Sequence, residues 1–76
     1  MAKSQLKDQA LLSAMVEGLK QVRKEQTLTQ EDVYNDTGIH ISRIETGRVN
    51  LSLSTLKALL DYYKITLSAF FTRIQY

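Results

Sequence analysis

The sequence predicts an all-α fold, a single domain of five helices with the third very short, on three observations. It contains no proline. Its β-branched residues are scattered singly, with no alternating apolar and polar run of strand length. Its apolar residues recur instead at steps of three and four, the spacing that lines one face of a helix.

A chain of 76 residues is one domain, near the lower size limit for a core that folds without staples. There is no cysteine, so neither disulfides nor thiolate zinc sites can assist, and the core must be efficiently packed. With 43% hydrophobic residues the chain is too apolar for a disordered one. No apolar run approaches the roughly 18 residues of a membrane helix, and no short apolar stretch with basic flanks resembles a signal peptide, so a cytoplasmic location with no membrane partner is expected. The net charge of +2 is too small to announce a polyanionic partner. Between Lys20 and Arg48 five basic residues face five acidic ones, so any affinity for nucleic acid must come from arrangement.

The first helix is predicted from Ser4 to about Gln26, with Leu12, Met15, Leu19 and Val22 on one face. Leu6 and Leu11 add a weaker stripe that another chain could cover. In "TLTQED" Thr29 can cap a second helix, and Asp32 three residues on completes a capping box, with Val33 facing inward. The polar knot Asn35-Asp36-Thr37-Gly38 supplies residues that tolerate a tight turn. Ile41 and Ile44, three apart and followed by Gly47, define the short third helix. After the loop "GRVNLS", a fourth helix carries Leu53, Leu56, Leu59, Leu60 and Tyr63. "ITLSAFFTRI" restarts a fifth, with Thr66 or Ser68 as its cap. The predicted core is Leu12, Met15, Leu19, Val22, Leu28, Val33, Ile41, Ile44, Leu53, Leu56, Leu59, Leu60, Ile65 and Phe70.

Five motifs now stand in order: Leu19 with Val22-Arg23, "LTQED" at Leu28 to Asp32, "ISRIETG" at Ile41 to Gly47, "SLSTL" at Ser52 to Leu56, and "ITLSAFF" at Ile65 to Phe71. Together they resemble the Cro/lambda-repressor-like helix-turn-helix family of the XRE type, over about residues 16–71, with 1–15 as an N-terminal helical extension of one domain spanning 1–76. The resemblance has one large departure. The interval from Gly38 to Glu45 is nearly one helical turn shorter than is usual in the family. Either the second helix is cut to Gln30–Tyr34 and Thr37 caps the third, which is preferred because threonine caps well, or Gly38 remains the turn and leaves a helical stub from His40. Leu51 and Lys64 stand where the family often has proline and glycine.

The resemblance implies a sequence-specific transcriptional regulator, a repressor by analogy, whose second and third helices form the helix-turn-helix and whose third enters the major groove of double-stranded DNA. Ile41 and Ile44 then point inward, leaving Ile39, His40, Ser42, Arg43 and Thr46 outward. Arg43 can take guanine O6 and N7 through two parallel hydrogen bonds, or clamp a phosphate, or form a surface ion pair. Ser42 and His40 can reach a base edge or phosphate, or merely be solvated. Ile39 packs on a thymine methyl or tucks under Tyr34, the latter being preferred. Gln30 matches a family glutamine that binds phosphate at the start of the second helix, while Arg48 and Asn50 are placed for backbone phosphates and Thr37 joins the set at the turn. Arg23 and Glu45 match a partly buried salt bridge that clamps the third helix to the first. Phe71, Ile74 and Tyr76 are expected to form an apolar homodimer patch, joined by Leu6 and Leu11, that sets two half-sites of an inverted repeat about 34 Å apart.

An enzyme finds little support. One histidine, no cysteine and no embedded acidic pair assemble neither a nucleophile triad nor a metal cluster, and Gly18, Gly38 and Gly47 form no phosphate-cradling motif. No catalytic residue, metal or cofactor is expected. The rival is a protein-interaction module such as an antitoxin bound to a toxin or another regulator, favoured by the shortened turn and the neutral local charge. No second domain is evident to sense a ligand, so regulation is expected through concentration, dimerisation or a partner protein.

Overall fold

The computed structural model describes residues 6–76, and every described regular element is helical. Five helices follow in order: α1 (Gln9–Glu25), α2 (Gln30–Thr37), α3 (Ile41–Ile44), α4 (Leu53–Tyr63) and α5 (Leu67–Arg73). Ser4, where the first helix was expected to start, lies outside the described residues; α1 begins after Asp8, whose carboxylate accepts from the Leu11 amide at 3.0 Å.

The other long helices start on the residues that their sequence marks. Thr29 and Asp32 form a reciprocal capping box, with Asp32 N donating to Thr29 Oγ1 at 3.0 Å and Thr29 N to Asp32 Oδ2 at 2.9 Å. That backbone N–H holds the Asp32 carboxyl below the ordinary carboxylate range. Ser52 caps α4 and Thr66, rather than Ser68, caps α5. The C-termini are less conventional. Thr27, Lys64 and Gln75 take left-handed φ values of 57°, 63° and 66°, in each case followed by a residue whose N–H returns to a carbonyl five positions back. Glycine normally occupies such positions because a Cβ is strained there. Lys64 thus adopts the left-handed conformation that glycine usually supplies at a helix C-terminus.

The core is built from Leu12, Met15, Val16, Leu19 and Val22 of α1, Val33 of α2, Ile41 and Ile44 of α3, Leu56, Leu59, Leu60 and Tyr63 of α4, and Phe70 of α5. Three expectations need correction. Leu53 is 71% exposed: it continues the α4 stripe but sits at the first helical position, past the edge of the packed region. Leu28 and Ile65 are only half-buried, packing against the core from its rim. Val16 and Tyr63, absent from the predicted list, are buried, and α1 is covered by more than one neighbour.

One such cover is α5. A Cβ on Gly18 would lie 2.5 Å from Ile74 Cγ2 and 3.0 Å from Phe70 Cε1, so only glycine lets this segment come so close. Phe71 and Ile74, expected beyond the reach of the core, are half-buried against it, as is Leu11. Of the expected C-terminal patch only Tyr76 is largely exposed, at 62%. Arg73 and Glu25 close the seam with a paired contact at 2.7 and 2.9 Å, which lowers the Glu25 carboxyl and raises the Arg73 guanidinium from their ordinary values. Among the described residues no helix is long and apolar enough to cross a membrane.

Candidate nucleic-acid interface

The unit that presents outward side chains is α2, the turn at Gly38 and α3. Gly38 adopts φ 76°, and its N–H closes α2 on the Tyr34 carbonyl at 2.8 Å. The preferred reading of the shortened turn is thereby overturned. α2 runs on to Thr37 rather than stopping at Tyr34, Gly38 is the turn, and α3 is the stub that follows His40. Thr37 does not cap α3. Its hydroxyl donates to Val33 O at 2.7 Å and accepts from the Ile39 amide at 3.0 Å, stitching the end of α2 to the turn, where it is partly buried. A left-handed glycine closes α2 without steric cost, and that outweighs the capping preference of threonine.

The shortness of α3 is offset by a clamp from α1. Arg23 Nε donates to Glu45 Oε2 at 2.7 Å and its Nη2 to Glu45 Oε1 at 3.0 Å, a bidentate pair with side chains 10% and 3% exposed. Arg23 Nη1 also donates to Leu28 O at 2.8 Å, tying the α1–α2 connection into the same pair. The hydrogen bond to Glu45 raises the Arg23 guanidinium above its already high value. Gln30 Nε2 donates to Glu45 Oε1 at 2.9 Å, so its amide is oriented by the clamp while the residue itself stays exposed. The Tyr63 hydroxyl lies buried, with no hydrogen-bond partner among the described residues, and burial, reinforced by the Glu45 charge, pushes it up to about 12.

Ile41 and Ile44 anchor α3, and His40, Ser42, Arg43 and Thr46 are all exposed around them. His40 lies against Tyr34, with ring centroids 4.7 Å apart. Ile39 packs on the core rim. Thr46 Oγ1 donates to Arg43 O at 2.6 Å and accepts from the Arg48 amide at 3.2 Å, turning the chain out of α3. The Gly47 to Asn50 loop is then strapped by the N-terminal segment. Lys7 Nζ donates to Arg48 O at 3.2 Å, Gln9 Nε2 to Gly47 O at 3.4 Å, and Asn50 Nδ2 to Leu6 O at 3.3 Å.

Two shallow grooves flank this surface and meet at Gln30 and Ser42. One runs past Glu31, Tyr34, His40 and Ile41; the other is lined by Lys20, Arg23, Lys24, Glu45 and Thr46. Lys20 and Lys24 were not among the residues singled out by sequence reasoning, although their four-residue spacing puts them on one face of α1. The strap residues Lys7 and Gln9 were also missed, because contacts across some forty positions leave no local signature. On the far side of α2, the Tyr62 hydroxyl donates to Asp36 Oδ2 at 2.6 Å, which pushes the phenol up to about 12 and pins the last turn of α2 to α4.

A family model described as helix-turn-helix matches residues 19–70, more than half of the chain. No curated protein and no solved structure matches it. The matched span begins with the buried Leu19 of α1 and ends with the buried Phe70 of α5, enclosing the α2–Gly38–α3 unit and the clamp that holds it. The chain belongs to the Cro/lambda-repressor-like, XRE-type helix-turn-helix family, a family of DNA-binding regulators.

Proposed function

We propose that this chain is a sequence-specific, double-stranded-DNA-binding transcriptional regulator of the cytoplasm, non-enzymatic, acting as a homodimer on an inverted repeat. The observation that carries the reading is the clamped α3: Ile41, Ile44 and Glu45 are fixed inward, leaving Ser42 and Arg43 as a rigid outward pair. Arg43 is assigned to a base edge, with Ser42, His40 and Thr46 beside it. Gln30, held by Glu45, retains a second amide hydrogen for a phosphate at the start of α2. Arg48, Asn50, Lys20 and Lys24 extend the phosphate track on either side, while Thr37, its hydroxyl committed to the turn, is left out of it.

A second reading is a protein-interaction module, for instance an antitoxin, in which the same face meets a toxin or another regulator. It is favoured by the single-turn α3 and by the equal numbers of basic and acidic residues between Lys20 and Arg48. Selection of bound sites from a random duplex library separates the two. Enrichment of an inverted repeat, with a slope of log affinity against log salt steeper than about −5 for a dimer making six phosphate contacts, is expected of the regulator. Absence of enrichment together with a flat salt response would remove it.

A further inference from the structure

The chain from Arg48 to Ser52 has no regular structure, yet its backbone at Arg48 is tied down on both sides of the Cα. Gln9 Nε2 donates to Gly47 O, the carbonyl before that Cα, at 3.4 Å, and Lys7 Nζ donates to Arg48 O, the carbonyl after it, at 3.2 Å. The Arg48 amide itself donates to Thr46 Oγ1 at 3.2 Å. Both peptide planes that flank one Cα are therefore held, and those planes fix the φ and ψ that aim its side chain. A bond in the opposite sense, from Asn50 Nδ2 to Leu6 O at 3.3 Å, doubles the tie.

We infer that Lys7 and Gln9, on the segment that enters α1, are positioning residues for Arg48: they order the loop so that its guanidinium already faces a DNA phosphate before the duplex arrives. The inference rests on the DNA-binding reading given above. Gln9 sits in the first turn of α1, which Leu12 and Met15 anchor in the core, so the loop is tied to a rigid element. The Gln9 amide nitrogen is committed to Ser13 Oγ at 3.2 Å and to Gly47 O, which leaves its oxygen, an acceptor that offers nothing to a phosphate. Gln9 thus acts on DNA only through what it holds. Arg48, in contrast, is exposed, and the strap takes its carbonyl rather than its guanidinium. A loop ordered in advance loses less conformational freedom on binding, so affinity rises with no added contact. Lys7 brings a charge of its own beside the same loop, which makes the neutral Gln9 the cleaner probe.

The test uses the full chain and a short duplex of mixed sequence, because phosphate contacts carry no sequence information. Gln9→Ala alters an exposed position, so its circular dichroism melt should match the wild type. In the free protein, NMR relaxation is expected to show lower order at the Gly47 to Val49 amides of Gln9→Ala than in the wild type. On the duplex, Gln9→Ala is expected to weaken binding by about three- to tenfold although it removes no charge. It should also reduce the slope of log affinity against log salt by up to about 0.9, the share of one phosphate, as Arg48→Ala does. In an Arg48→Ala background, Gln9→Ala should change neither quantity. The positioning role is overturned if loop order is the same in Gln9→Ala, if the salt slope stays at the wild-type value, or if Gln9→Ala costs the same affinity with and without Arg48. Those outcomes leave the DNA reading standing. Wild-type protein that binds no duplex removes that reading and this inference together.

Discussion

Replacing Glu45 by alanine leaves the Arg23 guanidinium, whose side chain is only 10% exposed, with a single remaining acceptor at Leu28 O, and it frees the Gln30 amide from its anchor. Stranding one member of a buried pair costs about 3 to 5 kcal/mol. The retained bond to Leu28 O and the groove beside Arg23 moderate that, so a loss of about 2 to 4 kcal/mol is expected. For a domain of this size each kcal/mol shifts the melting midpoint by about 4 to 8 °C, and Glu45→Ala should therefore melt about 8 °C or more below the wild type. Arg43→Ala removes an exposed side chain two residues away and should change stability by no more than about 0.5 kcal/mol. On DNA the order reverses: Arg43→Ala should weaken binding to a selected site by about 1 to 3 kcal/mol. Far-UV circular dichroism melts of both variants, with the Arg23→Ala/Glu45→Ala double mutant completing a cycle, measure the coupling directly. Equal melting shifts for Glu45→Ala and Arg43→Ala would show that α3 is not held by this pair.

Three further substitutions probe other parts of the fold. Gly18→Ala should destabilise by about 1 to 2 kcal/mol in a denaturant titration, even though alanine is the better helix former, because its Cβ meets Ile74 Cγ2 and the buried Phe70 ring; a gain in stability would show that α5 yields freely. Thr27→Gly should stabilise by about 0.5 to 1 kcal/mol, since a β-branched residue at φ 57° carries strain that glycine lacks, and a lowered melting midpoint would count against the strain. Tyr63 contributes to the alkaline limb of stability, beside Tyr62. Its phenol ionises near 10 in the unfolded chain and at about 12 in the native one, so its contribution is whole below pH 10 and is lost as pH rises towards 12, by about 2 to 3 kcal/mol. Tyr63→Phe should flatten that limb and leave neutral-pH stability equal or higher, because the deleted hydroxyl has no hydrogen-bond partner among the described residues. A loss above about 1 kcal/mol at pH 7 would mean that the hydroxyl is satisfied.

Much of the architecture is local in origin and was legible as such. Thr29 with Asp32, Ser52 and Thr66 are short-range signals, and each starts its helix. Helix stripes identified most of the core for the same reason. The misses share a different cause. Ending α2 at Gly38 rather than Tyr34 is a contest between two legitimate local signals, a threonine cap and a left-handed glycine, and the backbone decides it. The half-burial of Ile74 depends on how closely the end of α5 approaches Gly18, a tertiary fact that helical periodicity does not encode. Leu53 shows the converse, since a residue can obey the stripe and still lie where nothing reaches it. At the site, the outward set around α3 followed from the inward placement of Ile41 and Ile44, but the strap from Lys7, Gln9 and Asn50 joins positions too distant in sequence to be paired by inspection.

The four-residue length of α3 limits how much sequence this chain can spell out. Four residues span about 6 Å, against a base-pair rise of about 3.4 Å, so the helix itself addresses no more than about two successive steps. On the proposed target, further discrimination must come from the energy of bending, twisting or narrowing the duplex to fit a rigid protein face. Its mark would be preferences at base pairs that no side chain touches, strongest between the half-sites.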